Sequence, residues 1–213
     1  MKYRRPAPTV IVGATLVLSL LVALPSSFVE AREAAETEAE ANAVETSTAE
    51  VGTEVAVFDT SHGRMVIAFH TDDAPQTVAQ IKRLVRDGFY DGRIFYRVVA
   101  GHVIQTGDVD GKSAPSVPLE AGLPHIEGAV GMARGPNPSS GTTEIYICLA
   151  PRPHLDGQYA IFGHVVEGLE TLRAIGAVEV DEKFLGNGVA YHSPKAPVTI
   201  ERATLETRPA AQP

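Results

Sequence analysis

A mostly β domain, a closed eight-stranded antiparallel barrel capped by two helices, is predicted by three features of this 213-residue chain. Eight short runs rich in Val, Ile, Phe and Tyr recur from Val55 to Leu205, each bounded by Gly, Pro, Ser or Asn. Only two stretches space their apolar residues as a helix does. Glycine and proline are frequent (19 and 15), and tryptophan is absent, a composition that favours many turns over long helices. The length suffices for one substantial core with some chain left over. The single cysteine, Cys148, excludes an intramolecular disulfide and a cysteine zinc cluster, and its neighbours Ile147 and Leu149 mark it as an inert core thiol.

Taken in order, the chain starts with a basic head (Lys2, Arg4, Arg5) and an apolar run from Val10 to Leu24. This is the layout of an export leader, with Val29-Glu30-Ala31 as a small-residue cleavage site. Residues 1–31 are therefore read as a signal peptide, or as a membrane anchor if left uncleaved, and the globular part as periplasmic or secreted. Residues 32–53 are mostly Ala, Glu and Thr, too poor in large apolar groups to pack, and form an acidic disordered linker. The folded domain spans 54–207, and 208–213 are a flexible tail. The net charge of −8, without a basic stripe in the globular part, argues against a nucleic-acid partner.

Val55–Phe58 and Met65–Phe69 flank Ser61-His62-Gly63, a hairpin signal. Asp72, Asp73 and Pro75 open a helix whose apolar face is Val78, Ile81, Leu84 and Val85, with Gln80, Lys82, Arg83 and Arg86 opposite, ending at Gly88. Arg93–Val99 and Val103–Thr106 are strands, and Gly111–Pro124 is a loop. Strands follow at Ala129–Ala133, Glu144–Leu149 and Tyr159–Val166, then a short helix at Leu169–Ile175. Val198–Leu205 is the last strand.

Chemistry concentrates between Gly88 and Asp108. Arg97 lies between Tyr96 and Val98, and a charge that cannot be shed is rarely set among apolar residues without a carboxylate or a task. Gln105, eight residues on, supplies an amide that both donates and accepts. Asp108-Val109-Asp110-Gly111 has the opening of a calcium loop but lacks the later acidic ligand, so no metal site is expected. No G-x-S-x-G or Cys-His arrangement supports hydrolysis.

Three ordered blocks, GFYDGRIFYRVVAGHVIQTGD (88–108), GAVGMA (128–133) and LDGQYAIFGHVVEGLETL (155–172), resemble the cyclophilin-type peptidyl-prolyl cis-trans isomerases over residues 54–207. Where that family usually reads F-H-R-V-I-x-G-F-x-I-Q-G-G-D, this chain reads F-Y-R-V-V-A-G-H-V-I-Q-T-G-D. The resemblance implies the cyclophilin barrel, an isomerase needing no cofactor, proline-containing polypeptides as partners and a monomer. Arg97 and Gln105 then match the catalytic positions. Arg97 would donate to the prolyl nitrogen of the twisted bond, and Gln105 would hold the substrate backbone. His102, Val103, Tyr146 and Leu155 match the proline pocket, and Ala133, Arg134, Glu144 and Tyr159 the rest of the substrate groove.

Several positions depart from the family pattern. His102 replaces a phenylalanine and should weaken proline binding; His154 replaces an aromatic rim residue; Tyr159 stands at a frequent histidine; Ile145 replaces a phenylalanine. Glu144 replaces a glutamine. Paired with Arg97 it would blunt the donor; turned to a polar subsite it would change the preferred flanking residues; Arg134 is an alternative partner for it. Two functions follow: an exported isomerase assisting folding, or a catalytically weak module that binds proline-containing peptides or an envelope partner.

Overall fold

The computed structural model describes residues 53–108, 113–184 and 190–209. The expected leader and nearly all of the linker, with Asp110 and Gly111 of the calcium-like loop, lie outside them. Strand β1 (Thr53–Thr60) and strand β2 (Gly63–Phe69) form the hairpin across a two-residue turn, Thr60 pairing with Gly63. Alternation places Ala56, Phe58, Met65 and Ile67 in the main core, while Val55, Val57 and Val66 make a small second cluster on the other face.

Helix α1 (Pro75–Arg86) starts with proline at its first turn, where a missing N–H is harmless. Its amino end is not capped by Asp72 or Asp73. Glu120 reaches back from a distant loop and accepts from the Gln76 and Thr77 amides at 3.0 and 2.9 Å. Gln80, expected on the solvent side, is buried and donates to the Pro115 and Thr142 carbonyls, both at 2.7 Å. That ties the helix to two loops.

The remaining elements are β3 (Arg97–Val99), β4 (Val103–Thr106), β5 (Ala129–Met132), β6 (Ile145–Cys148), a one-turn 3-10 helix (Pro153–Leu155), β7 (Ile161–Glu167), α2 (Leu169–Gly176), β8 (Val180–Phe184), β9 (Ala190–Pro194) and β10 (Ile200–Arg208). Eight strands make one curled antiparallel sheet in the order β10-β1-β2-β7-β5-β6-β4-β3, and β8 with β9 make a separate hairpin. One core packs the inner face of this sheet with Ile81 and Leu84 of α1 and Leu172 and Ile175 of α2.

The structure shows the expected eight strands as one strongly curled sheet whose ladder order ends at β10 and β3. The run Arg93–Val99 changes partners midway and links these two ends through the residues beside them. Its first half crosses to the segment before β10: the Ile94–Thr199 bridge, Phe95 N–H to Val198 O at 2.9 Å and Ile200 N–H to Arg93 O at 2.7 Å. Its second half pairs with β4. The same exchange delays the last strand to Ile200, and that strand runs on through Arg208, which pairs with Thr53. Among the described residues no helix is long and apolar enough to cross a membrane.

Candidate active site

Strand register builds the site. Arg97 pairs with Gln105, Gln105 with Tyr146, and Tyr146 with Gly131, so one row crosses β3, β4, β6 and β5. The next row, Val98, Ile104, Ile147 and Val130, points the other way into the core. A charged residue between two apolar ones is therefore simple alternation: Val98 is fully buried within, and Arg97 stands half-buried on the outer face.

On that face Arg97 Nη1 donates to Gln105 Oε1 at 3.0 Å, and Gln105 Nε2 donates to Glu144 Oε1 at 3.4 Å. The Tyr96 hydroxyl also donates to Glu144 Oε1. The amide thus stands between the guanidinium and the carboxylate, and no Arg97–Glu144 ion pair forms. Only one N–H of the guanidinium fork meets Gln105, so others remain to bond a ligand. Glycine at 107 lets this arrangement close. Its φ is +117°, and a Cβ there would fall 2.6 Å from both Glu144 Cα and the Thr143 carbonyl oxygen.

Arg97, Gln105, His102, Val103, Ala133, Arg134, Tyr146, Leu155 and Tyr159 surround one cavity of about 210 Å³. Nine of the ten residues expected from the sequence meet there; Glu144 is the exception, set behind Gln105. Arg134 does not reach Glu144 either. Its Nε and Nη1 donate to the carbonyls of Gln158 and Gly135, both at 2.9 Å, and its guanidinium lies 4.7 Å from the Tyr159 ring centre. His102, in the cavity wall, stacks on His154 with 6.0 Å between ring centroids.

Two residues that the sequence did not single out support the floor. The Tyr146 hydroxyl lies 2.7 Å from His125 Nε2, and His125 Nδ1 lies 2.7 Å from Asp156 Oδ1, which also accepts the His125 backbone N–H at 2.8 Å. A carboxylate only accepts, so Nδ1 carries a proton, and Nε2 is the ring atom that shares a hydrogen bond with the phenolic hydroxyl. His125 is buried, its ring nearly parallel to Tyr146 at 6.0 Å, while Tyr159 meets Tyr146 edge-on at 5.8 Å. The ring has room because position 131 is glycine: a Cβ there would sit 2.3 Å from Tyr146 Cζ.

The model of the cyclophilin type peptidyl-prolyl cis-trans isomerase family matches residues 55–205. The chain belongs to this family. It is 34% identical over 181 residues to a probable peptidyl-prolyl cis-trans isomerase of Brucella abortus, covering 77% of this chain and 88% of the relative. A peptidyl-prolyl cis-trans isomerase of Synechococcus elongatus is 34% identical over 135 residues, 61% of this chain and 92% of the relative. A crystal structure of a Cryptosporidium parvum cyclophilin type isomerase superposes with TM-score 0.64 at 22% identity, covering 74% of this chain and 99% of that one. A second crystal structure of the same protein, obtained in the presence of the dipeptide Ala-Pro, gives 0.63 at 22% identity, with 72% and 99% covered.

The electrostatics of this cyclophilin fit a pocket for an uncharged ring. Burial, then the nearby Arg152, Arg97 and His154, push the His102 pKa below its ordinary value, which keeps the imidazole neutral at neutral pH. Burial pushes the Tyr146 hydroxyl far up and the Cys148 thiol to about 11, so neither supplies a nucleophile at neutral pH. Among the described residues no group of three or more His, Cys, Asp or Glu could hold a metal ion.

Two expectations follow from these groups. His102→Phe should raise kcat/KM on a neutral X-Pro peptide by roughly fivefold, about 1 kcal/mol of further ring burial in the transition state; an unchanged value would remove His102 from the pocket wall. Asp156 is held below the usual carboxylate range, first by the His125 backbone N–H and then by its ring. A depressed acid stabilises the fold fully above its unfolded pKa of about 3.9 and loses that contribution as pH falls through the lower folded value. Asp156→Asn should therefore flatten the acid limb of the unfolding curve below about pH 4, measured by fluorescence across a pH series.

Proposed function

We propose that this cyclophilin-type isomerase accelerates X-Pro bond rotation in exported polypeptides, with Arg97 and Gln105 as its catalytic pair. The observation that carries the reading is that Arg97 opens onto the cavity with its charge unpaired by Glu144. An X-Pro amide resists rotation because of its partial double bond, and uncatalysed exchange takes tens to hundreds of seconds. Twisting localises a lone pair on the prolyl nitrogen. A fixed, permanently charged donor beside that nitrogen binds the twisted form better than the planar one, and each 1.4 kcal/mol of that difference gives about tenfold in rate.

The other walls divide the remaining work. Val103, Tyr146 and Leu155 hold the proline ring, Gln105 fixes the substrate backbone through its amide, and Ala133, Arg134 and Tyr159 border the flanking residues. No bond is made or broken, so neither nucleophile nor cofactor enters. The test is exchange of an Ala-Pro peptide with the full chain present: acceleration is expected, and an uncatalysed rate would leave only a peptide-binding module.

Export is supported by the sequence alone, in the basic head, the short apolar run and the acidic segment that follows. We take the domain to act as a monomer outside the cytoplasm, assisting folding, either released or held at the membrane by its leader. The mass of the mature amino terminus distinguishes those two forms, and recovery of the uncleaved chain in the cytosol would overturn export.

A further inference from the structure

We propose that Arg134 selects substrates carrying an acidic side chain beside the isomerised proline. This rests on the isomerase reading and names its substrate class. Arg134 is part of the cavity wall, as are Arg97 and His102, while no Asp or Glu lines it. The chain as a whole carries a net charge of −8. A cleft with cationic walls in an acidic protein draws anionic groups toward it.

The guanidinium of Arg134 is held in place at that wall. Its Nε donates to the Gln158 carbonyl and its Nη1 to the Gly135 carbonyl, both at 2.9 Å. Its central carbon lies 4.7 Å from the centre of the Tyr159 ring, itself a wall residue. Both anchors are tied down in turn. Gly135 N–H donates to Ser140 Oγ at 2.9 Å, and that hydroxyl donates to the Asn137 carbonyl at 2.6 Å. Gln158 N–H donates to Leu155 O at 3.1 Å, and Gln158 Nε2 donates to His154 O at 2.7 Å. The side chain therefore spans from the loop after β5 to the turn that carries Leu155 and Tyr159.

Carbonyl oxygens and a ring face orient a guanidinium without neutralising it. None of the ion pairs among the described residues includes Arg134. Two carboxylates close to the site are engaged elsewhere: Glu144 by Tyr96 and Gln105, Asp156 by the His125 ring and amide. Within the described residues only Nε and Nη1 of Arg134 are bonded, so Nη2 keeps both N–H groups for a carboxylate supplied from outside. A cation already fixed in position binds such a group without first being ordered. The walls share one cavity of about 210 Å³, and an extended peptide advances about 3.3–3.6 Å per residue. The side chain that meets Arg134 thus belongs to an immediate neighbour of the proline held against Leu155.

The experiment compares kcat/KM of the full chain on blocked peptides that differ only in the residue before or after proline, carrying Glu, Gln or Lys. Glu is expected to exceed Gln about fivefold at one of the two positions at low salt, the upper range for a pair still partly in water. Lys should fall below Gln, and high salt should shrink the preference of the unaltered protein. Arg134→Gln should bring the Glu/Gln ratio toward one, while Arg134→Lys keeps part of it. A role confined to bracing the two loops would instead lower all three peptides equally and leave the ratio unchanged, which overturns the proposal. Equal values for Glu and Gln at both positions in the unaltered protein overturn it too, with the isomerase reading intact. Failure to accelerate any of the peptides overturns the isomerase reading as well.

Discussion

Replacing Arg97 by alanine should lower kcat/KM on an X-Pro peptide by about 100- to 1,000-fold, the loss typical of removing one donor aimed at developing charge. The fold should tolerate the change. Arg97 stands on the outer face of the sheet, half-buried, and its one internal hydrogen bond is to Gln105. Removing it frees the Gln105 amide but opens no hole in the core, whose strand contribution at this point is Val98. Arg97→Lys should recover little of the rate. A lysine brings the charge without the planar fork, which bonds Gln105 while leaving further N–H groups for the proposed substrate contact. Equal activity of Arg97→Lys and wild type would mean that only the field matters, and equal activity of Arg97→Ala would remove this residue from the chemistry.

The second large effect is expected at a residue far less conspicuous in the sequence. His125→Ala deletes a buried ring, leaves the Tyr146 hydroxyl without its hydrogen-bond partner and takes a partner from Asp156. An unsatisfied buried hydroxyl together with the cavity should cost about 3 kcal/mol. For a domain of this size that lowers Tm by roughly 6–12 °C. Activity should fall too, mostly through KM, because Tyr146 lines the cavity proposed to hold the proline ring. The pair His125→Ala, Tyr146→Phe offers the sharper reading. Removing the orphaned hydroxyl should restore about 1 kcal/mol and part of the lost affinity. Additive losses in the double variant would show that the histidine acts through something other than the tyrosine.

How much of this was legible beforehand depends on whether the information was local. The eight strands of the large sheet show in the sequence because each alternates or clusters β-branched and aromatic residues between turn formers. Arg97 and Gln105 stand out because a charge and an amide in apolar runs are locally anomalous. Pairing of strands far apart is not local, and the way the two ends of the sheet meet was not legible for that reason. Nothing in Arg93–Val99 announces that its first half leaves β4 for the residues before β10.

The β8–β9 hairpin escaped notice because Val180–Phe184 and Ala190–Pro194 carry little periodic apolar signal and pair only with each other. Glu120 as a helix cap and Arg134 turned away from Glu144 depend on loop paths. His125 follows a proline in a stretch without periodicity, and Asp156 sits in an Asp-Gly turn, where aspartate is ordinary. One clue was available. A tyrosine at a pocket position where the family carries phenylalanine brings a hydroxyl into a buried setting, and such a group needs a partner.

The most direct measurement separates holding from turning. Exchange spectroscopy on an Ala-Pro peptide gives the cis-trans rate on the protein and the dissociation constant from the same titration. For Arg97→Ala the rate on the bound peptide is expected to fall by about 100-fold or more while affinity stays within about threefold of wild type. An unchanged rate on the bound peptide, with affinity lost instead, would contradict the assignment of Arg97 to the twisted bond.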